Sequence, residues 1–315
     1  MPTKRSPRYG SLQYWPRKRA SKFLPSVNWD AISSDSKTLK GFIGYKAGMM
    51  TAIVKDNTPN SMTKGKRIAI PVTIIECPNM KILSVRFYKN GMVFREIQGK
   101  NPEKELRKKI KPQKKESTGI ESIKQGDYDD IRIVVYSLAK KTGIKKIPDI
   151  SEIGLRGTIE EKLNFAKEHL AKEISVEEVF EKGKLVDIRG LTKGKGLQGP
   201  VKRWGIGLKS HKSEKGQRAP GSLGPWHPSR VTFRAPQAGQ MGMFTRVVYN
   251  NSIIDINKSG NENIKGLKNF GDIRTGYIAV YGSVQGSAKR QLLITAPLRT
   301  TKKQVKKNYE FMELK

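Results

Sequence analysis

Three glycines in "GKGLQG", Gly194, Gly196 and Gly199, have the G-x-G-x-x-G spacing that lets a backbone approach a dinucleotide pyrophosphate, and the apolar run "KLVDI" precedes them. The match ends there. A pyrophosphate site needs a helix opening at those glycines, so that its unbonded N–H groups meet the charge. Here the chain continues through Pro200, Gly205 and Gly207, and a glycine-rich loop lying against RNA fits the same residues better. The histidines form no catalytic set either. His211 and His227 stand sixteen residues apart in Gly/Pro-rich sequence, His169 is remote from both, and Glu214 is the only acid nearby. A metal centre needs three or four convergent ligands, and an acid–base pair needs a partner within reach. Exposed or phosphate-contacting histidines are therefore expected. Cys77, the one cysteine, lies in strand-like sequence with no base beside it, the setting of a small buried residue. No cofactor, metal or small-molecule substrate is expected.

What these residues do suggest is contact with a polyanion. Residues 188–246 hold twelve Lys or Arg against Glu214 alone, and residues 1–29 hold seven with no acid. Trp226 lies between Pro225 and His227-Pro228 without apolar neighbours, so stiff prolines would present its ring at a loop tip, where it could stack on an unpaired base. Trp204 admits two readings, an anchor packed on its own domain or an RNA contact. A segment so cationic and so poor in apolar periodicity cannot order itself by burial, so the polyanion is expected to supply its structure. RNA suits it better than duplex DNA, since no helix-turn-helix or zinc finger is present to enter a major groove.

The elements that must carry this segment are mostly strands. "KRIAIPVTII" alternates Ile68, Ile70, Val72 and Ile74, and "ILSVRFYKNGMVFREI" puts Asn90-Gly91 between two β-rich runs as a hairpin turn. "MFTRVVYNNSIIDI", "GYIAVYGSV" and "RQLLITAPL" follow the cationic segment, and strands this short with tight turns suggest a small closed barrel. Between the two sets, Thr158 and Glu161 form a capping box for a helix with Ile159, Leu163, Ala166 and Leu170 on one face, and "SVEEVF" could begin another.

Composition agrees. The 315 residues include 62 Lys or Arg and 28 Asp or Glu, a net +34 that solubility does not require. Residues 100–182 carry 19 basic and 16 acidic residues, so this stretch is nearly neutral and reads as an ordinary folded insert. With 36% hydrophobic residues a moderate core is available. A single cysteine fits a reducing compartment, and no apolar run is long enough for a membrane span or a signal core, so a soluble intracellular chain without membrane contact is expected.

Six ordered motifs, "SPRYGSLQYWPRKRA", "GFIGYKAGMMTAIV", "IPVTIIECPNM", "GKGLQGPVKRWG", "PGSLGPWHPSRV" and "AGQMGMFTRVVYN", resemble the universal ribosomal protein L3 family across residues 6–299, with the long insert of its archaeal and eukaryotic branch. The resemblance implies a translation-factor-like barrel carrying an α/β insertion and two long basic extensions. It implies that these extensions bind 23S-type rRNA and support subunit assembly in the cytoplasmic ribosome. It also implies a loop tip, at Trp226, near the peptidyl transferase centre, and L14 and L24e as neighbours. The expected division is residues 1–40 as a basic N-terminal extension, 41–99 as the first part of the barrel and 100–182 as the insertion. Residues 183–200 would form a barrel strand and Gly-rich turn, 201–246 the basic central loop, 247–300 the second part of the barrel and 301–315 a basic tail. The expected rRNA contacts are Arg5, Arg8, Arg17, Lys18, Arg19 and Lys22 from the extension, and Lys193, Lys195, Lys202, Arg203 and Trp204 at the start of the loop. Lys209, His211, Lys212, Lys215, Arg218, Trp226, His227, Arg230, Arg234 and Gln240 complete the set. An RNA-cleaving or RNA-modifying enzyme, or a free RNA chaperone, are the competing readings. The scarcity of carboxylates in the cationic loop and the lack of a cofactor motif weigh against the enzyme.

Overall fold

The computed structural model describes residues 10–32, 39–99, 103–111, 127–170, 172–213, 215–257 and 264–315. It is mainly β and divides into two units, one of residues 1–22 and 191–245, the other of residues 23–190 and 246–315.

In the larger unit, β1 (Gly41–Asp56) pairs antiparallel with β2 (Arg67–Glu76) along most of its length. The alternation in β2 is visible where only one face is covered: Ile70 and Val72 are buried while Ala69 and Pro71 are exposed. From Val72 onward every side chain of β2 is buried, because the sheet is covered on both faces. Ile74 enters one apolar cluster and Ile75 the other. The remaining strands of this sheet are β7 (Leu185–Leu191), β10 (Thr245–Asn257), β11 (Tyr277–Tyr281), β12 (Gln291–Thr295) and β13 (Tyr309–Leu314). Their order is β12-β7-β10-β11-β2-β1-β13, and β12 also pairs with the first five residues of β1. The last stretch, read from sequence as a basic tail, forms α3 (Lys302–Val305) and then β13. There Tyr309, Phe311 and Leu314 pack on the cluster that contains Ile70 and Val72.

β3 (Met80–Lys89) and β4 (Met92–Gln98) form the expected hairpin, with Asn90 at φ 51° and Gly91 at φ 75°, the two positive values a two-residue turn of this kind needs. The expected division places residues 41–99 together as the first part of the barrel. In the structure, β3 and β4 instead join β5 (Asp130–Ser137) and β6 (Ile150–Gly154) in a separate four-stranded sheet, order β4-β3-β5-β6. The long β3–β5 register, Met80 to Tyr88 against Ser137 to Asp130, supplies more backbone bonds than the hairpin alone.

α1 (Ile159–His169) has the capping box. Thr158 Oγ1 accepts the Glu161 N–H and Glu161 Oε2 accepts the Thr158 N–H. Ala166 is buried, with Leu163 and Leu170 packed on the core, while Ile159 is exposed in the first turn. The "SVEEVF" segment makes only a turn. Glu178 Oε1 accepts the Ser175 N–H at 3.3 Å, one half of a capping box, and the Ser175 hydroxyl at 2.8 Å, but Val176, Val179 and Phe180 are all buried and the turn stops there.

Candidate nucleic-acid interface

The cationic segment leaves on β7 and returns on β10. Its neck has backbone structure that composition did not signal. Thr192 N–H donates to Phe244 O at 3.0 Å, Lys195 N–H to Met241 O at 3.0 Å, and Met241 N–H to Gly196 O at 2.8 Å. Beyond these, β8 (Leu197–Gln198) pairs antiparallel with β9 (Gly239–Gln240). The ribbon needs glycine at Gly242, which has φ 80° and where a Cβ would lie 2.0 Å from the Lys193 carbonyl oxygen. Directly after β8 a one-turn helix, α2 (Pro200–Trp204), opens with proline at its first position and ends at Gly205 with φ 72°. The glycine spacing of "GKGLQG" thus serves a ribbon and a single helical turn.

Trp204 is turned inward. It is 4% exposed, its Nε1 donates to Gln237 O at 2.8 Å, the Arg17 guanidinium lies 3.7 Å from its ring, and the Trp15 ring centroid is 5.3 Å away. Of its two sequence readings the packed one describes this geometry. Arg17 and Arg203 hold each other's backbone: Arg17 Nη1 donates to Arg203 O at 2.6 Å, and Arg203 Nη2 to Arg17 O at 3.3 Å. Arg203 also donates from Nε to Gln240 O and from Nη1 to Gln237 O. Burial draws the Arg203 pKa down from its ordinary value. Gln240 turns its amide back on the Met241 and Gly242 carbonyls. These four residues, grouped by sequence with the RNA contacts, build the base on which the segment stands.

The other candidates face outward. Lys18, Arg19, Lys22, Lys193, Lys195 and Lys202 are exposed, as are His211, Lys212, Lys215, Arg218, Trp226, His227, Arg230 and Arg234, while Lys209 is half-buried. Arg5 and Arg8 lie outside the described residues. Trp226 is 84% exposed, and Ser229 Oγ donates to its carbonyl at 2.7 Å, closing a turn at the tip. His211 and His227 share no metal-ligand cluster with other residues among those described. Sequence reasoning missed the other apolar side chains exposed in the same segment, Leu197, Leu208, Leu223, Val231 and Phe233. Their signal was available as large apolar residues amid lysine and glycine with no core to enter.

Elsewhere the buried titratable groups serve packing. Tyr45, on β1, donates to Asp149 at 2.7 Å and lies 2.7 Å from Ser137 at the end of β5, and its burial pushes its pKa well up. Cys77 is buried, and burial pushes its thiol far above the ordinary range, which removes it as a nucleophile.

Residues 1–314 match the family model described as Ribosomal protein L3. The chain is 41% identical over 311 residues to the large ribosomal subunit protein uL3 of Archaeoglobus fulgidus, covering 94% of this chain and 93% of that one. It is 39% identical over 308 residues to the protein of the same name from Methanocaldococcus jannaschii, covering 93% and 91%. With that of Methanococcus vannielii the identity is 39% over 313 residues, covering 94% and 92%.

Proposed function

The chain belongs to the ribosomal protein L3 family, and we propose that it is a structural constituent of the large ribosomal subunit in the cytoplasm that binds 23S-type rRNA through its cationic unit. The observation that carries this reading is a large surplus of positive charge on exposed side chains. Within residues 10–22 and 191–245 the sequence offers one carboxylate, Glu214, against a row of outward-facing lysines and arginines. A surface of that kind gains affinity by releasing counterions from a phosphate backbone. The exposed ring of Trp226 adds a stacking face at the tip. On this reading Lys193 to Arg234 supply the phosphate contacts, and the base around Trp204 fixes their direction. The tip reaches toward the peptidyl transferase centre and tunes aminoacyl-tRNA accommodation.

The same reading takes the strand ring β12-β7-β10-β11-β2-β1, in which β12 bonds both β7 and β1, as a closed barrel of the translation-factor type. The four-stranded sheet with α1 is then the insertion, and L14 and L24e are the protein neighbours.

Co-sedimentation with 50S particles through a high-salt wash tests the assignment; a chain that washes off with free RNA-binding proteins overturns it. Particles carrying Trp226→Ala test the tip. They should assemble at near-normal stoichiometry with altered accommodation or altered response to drugs at the peptidyl transferase centre. Failure to assemble, or unchanged function on every measure, would make the tip a structural anchor.

A further inference from the structure

Phe233 is 76% exposed, and its ring stands at the outer end of an aromatic series that runs inward through Trp15 to Trp204. Its centroid lies 5.5 Å from that of Trp15, whose own lies 5.3 Å from that of Trp204. The inner end is fixed by burial, by the indole N–H bond to Gln237 and by the Arg17 guanidinium. The backbone on the far side of Phe233 is fixed as well, since Ala235 N–H donates to Thr232 O at 3.0 Å. A single exposed apolar side chain needs no explanation. An exposed ring held in tilted contact with an aromatic series whose inner end is buried, and followed by Arg234, is a different object, because its position is set while most of its surface is offered to solvent.

We propose that Phe233 is a second stacking position of the cationic unit, separate from the Trp226 tip, and that it takes one unpaired RNA base whose flanking phosphates meet Arg230 and Arg234. The inference rests on the rRNA-binding reading above. An unpaired base is preferred to a protein side chain because the surrounding segment, residues 188–246, carries twelve cations against one acid. A polypeptide seated on the ring would have to be strongly acidic to match those cations, whereas any unpaired stretch of RNA supplies a π-face and phosphates together. The tilted ring contacts behind Phe233 remove much of the ordering cost that a loop aromatic would otherwise meet on binding.

The test uses the full chain and a 23S rRNA transcript from Archaeoglobus fulgidus, with filter binding over a KCl series. Phe233→Ala and Phe233→Leu should each weaken binding about tenfold, the loss of one base–aromatic stack. The slope of log K against log salt should not change, because no phosphate contact is removed. Phe233→Tyr should bind within about twofold of wild type. Leucine binding as well as phenylalanine would mean that apolar bulk is enough and would overturn the proposal, as would a slope that falls in the alanine variant. Wild type that binds the transcript while all three variants match it removes the stacking role alone. Wild type that does not bind the transcript removes the rRNA reading itself, and this proposal with it.

Discussion

Arginine is used in opposite ways in two regions of this chain. On the four-stranded sheet, Arg86 donates to Glu96 and Glu152, and Arg132 to Asp30, Asp130 and Glu152. Lys81, Lys141 and Lys162 likewise reach Glu103, Glu173 and Asp130. At the base of the cationic segment, Arg17 and Arg203 donate to backbone carbonyls. A carboxylate satisfies the guanidinium and cancels its charge, whereas a carbonyl satisfies its hydrogen bonds and leaves the charge in place. The first region is thereby largely neutralised and the second left strongly cationic, although both are well supplied with basic residues. Net charge alone would not have separated them.

The largest effect that could break this comparison lies in RNA binding. Replacing Lys209, Lys212, Lys215 and Arg218 together with Gln should lower the slope of log K against log salt by roughly 3, at about 0.7–0.9 per phosphate contact, and weaken binding by orders of magnitude at low salt. Replacing Lys81, Lys140, Lys141 and Lys162, each bonded to a carboxylate, should leave the slope where it was. Equal slopes for the two quadruple variants would show that pairing does not decide which cations meet RNA.

A second test concerns the base. Trp204→Ala removes a 4%-exposed indole together with the partner of Arg17 and Trp15. The expected cost is about 3 kcal/mol, in the lower part of the range for a buried aromatic. Hydrogen exchange should show it as lost protection at Lys195 and Met241, whose amides hold the neck. Exchange unchanged at those two amides would mean that the ribbon stands without its aromatic base, and that the tryptophan acts elsewhere.

What could be read from the sequence was local. Ile68 to Ile74, Asn90-Gly91 and the Thr158–Glu161 box each announce themselves within a few residues, because period, turn conformation and capping are short-range properties. Partner choice is not short-range. Nothing in β3 says that it will pair with β5, some fifty residues on, in a sheet apart from β1 and β2. The site was legible in outline for the same reason, since a run of cations, prolines and an isolated tryptophan is a composition. The inward turn of Trp204, however, depends on Arg17 and Trp15, nearly two hundred residues earlier, and the standing of Phe233 depends on that turn. The "SVEEVF" segment shows the converse. Its helical signal holds over one turn, with Glu178 reaching back to the Ser175 N–H, but burial of Val176, Val179 and Phe180 on the core decides where the chain goes next.

The smallest expected effect comes from acid, and it bears on the paired region alone. Asp130 is partly buried, which by itself would raise its pKa, but Lys162 at 2.6 Å and Arg132 at 3.0 Å hold it below the ordinary carboxylate value. A carboxyl whose folded pKa is depressed adds stability that is present above its unfolded value, near 3.9, and is lost as pH falls through the folded one. Asp130→Asn should therefore cost about 1 kcal/mol at pH 7, a figure kept small because the ion pair keeps some contact with water. The difference from wild type should shrink below about pH 4 and vanish once Asp130 itself is protonated. Urea unfolding of both chains at pH 7, 4 and 2.5 would follow it. A penalty that persists undiminished at pH 2.5 would mean that the asparagine amide packs badly beside Lys162 and Arg132, and that cancellation of charge is not what Asp130 contributes there. A penalty that fades on schedule would tie the stability of this sheet to the same ion pairs that cancel its positive charge.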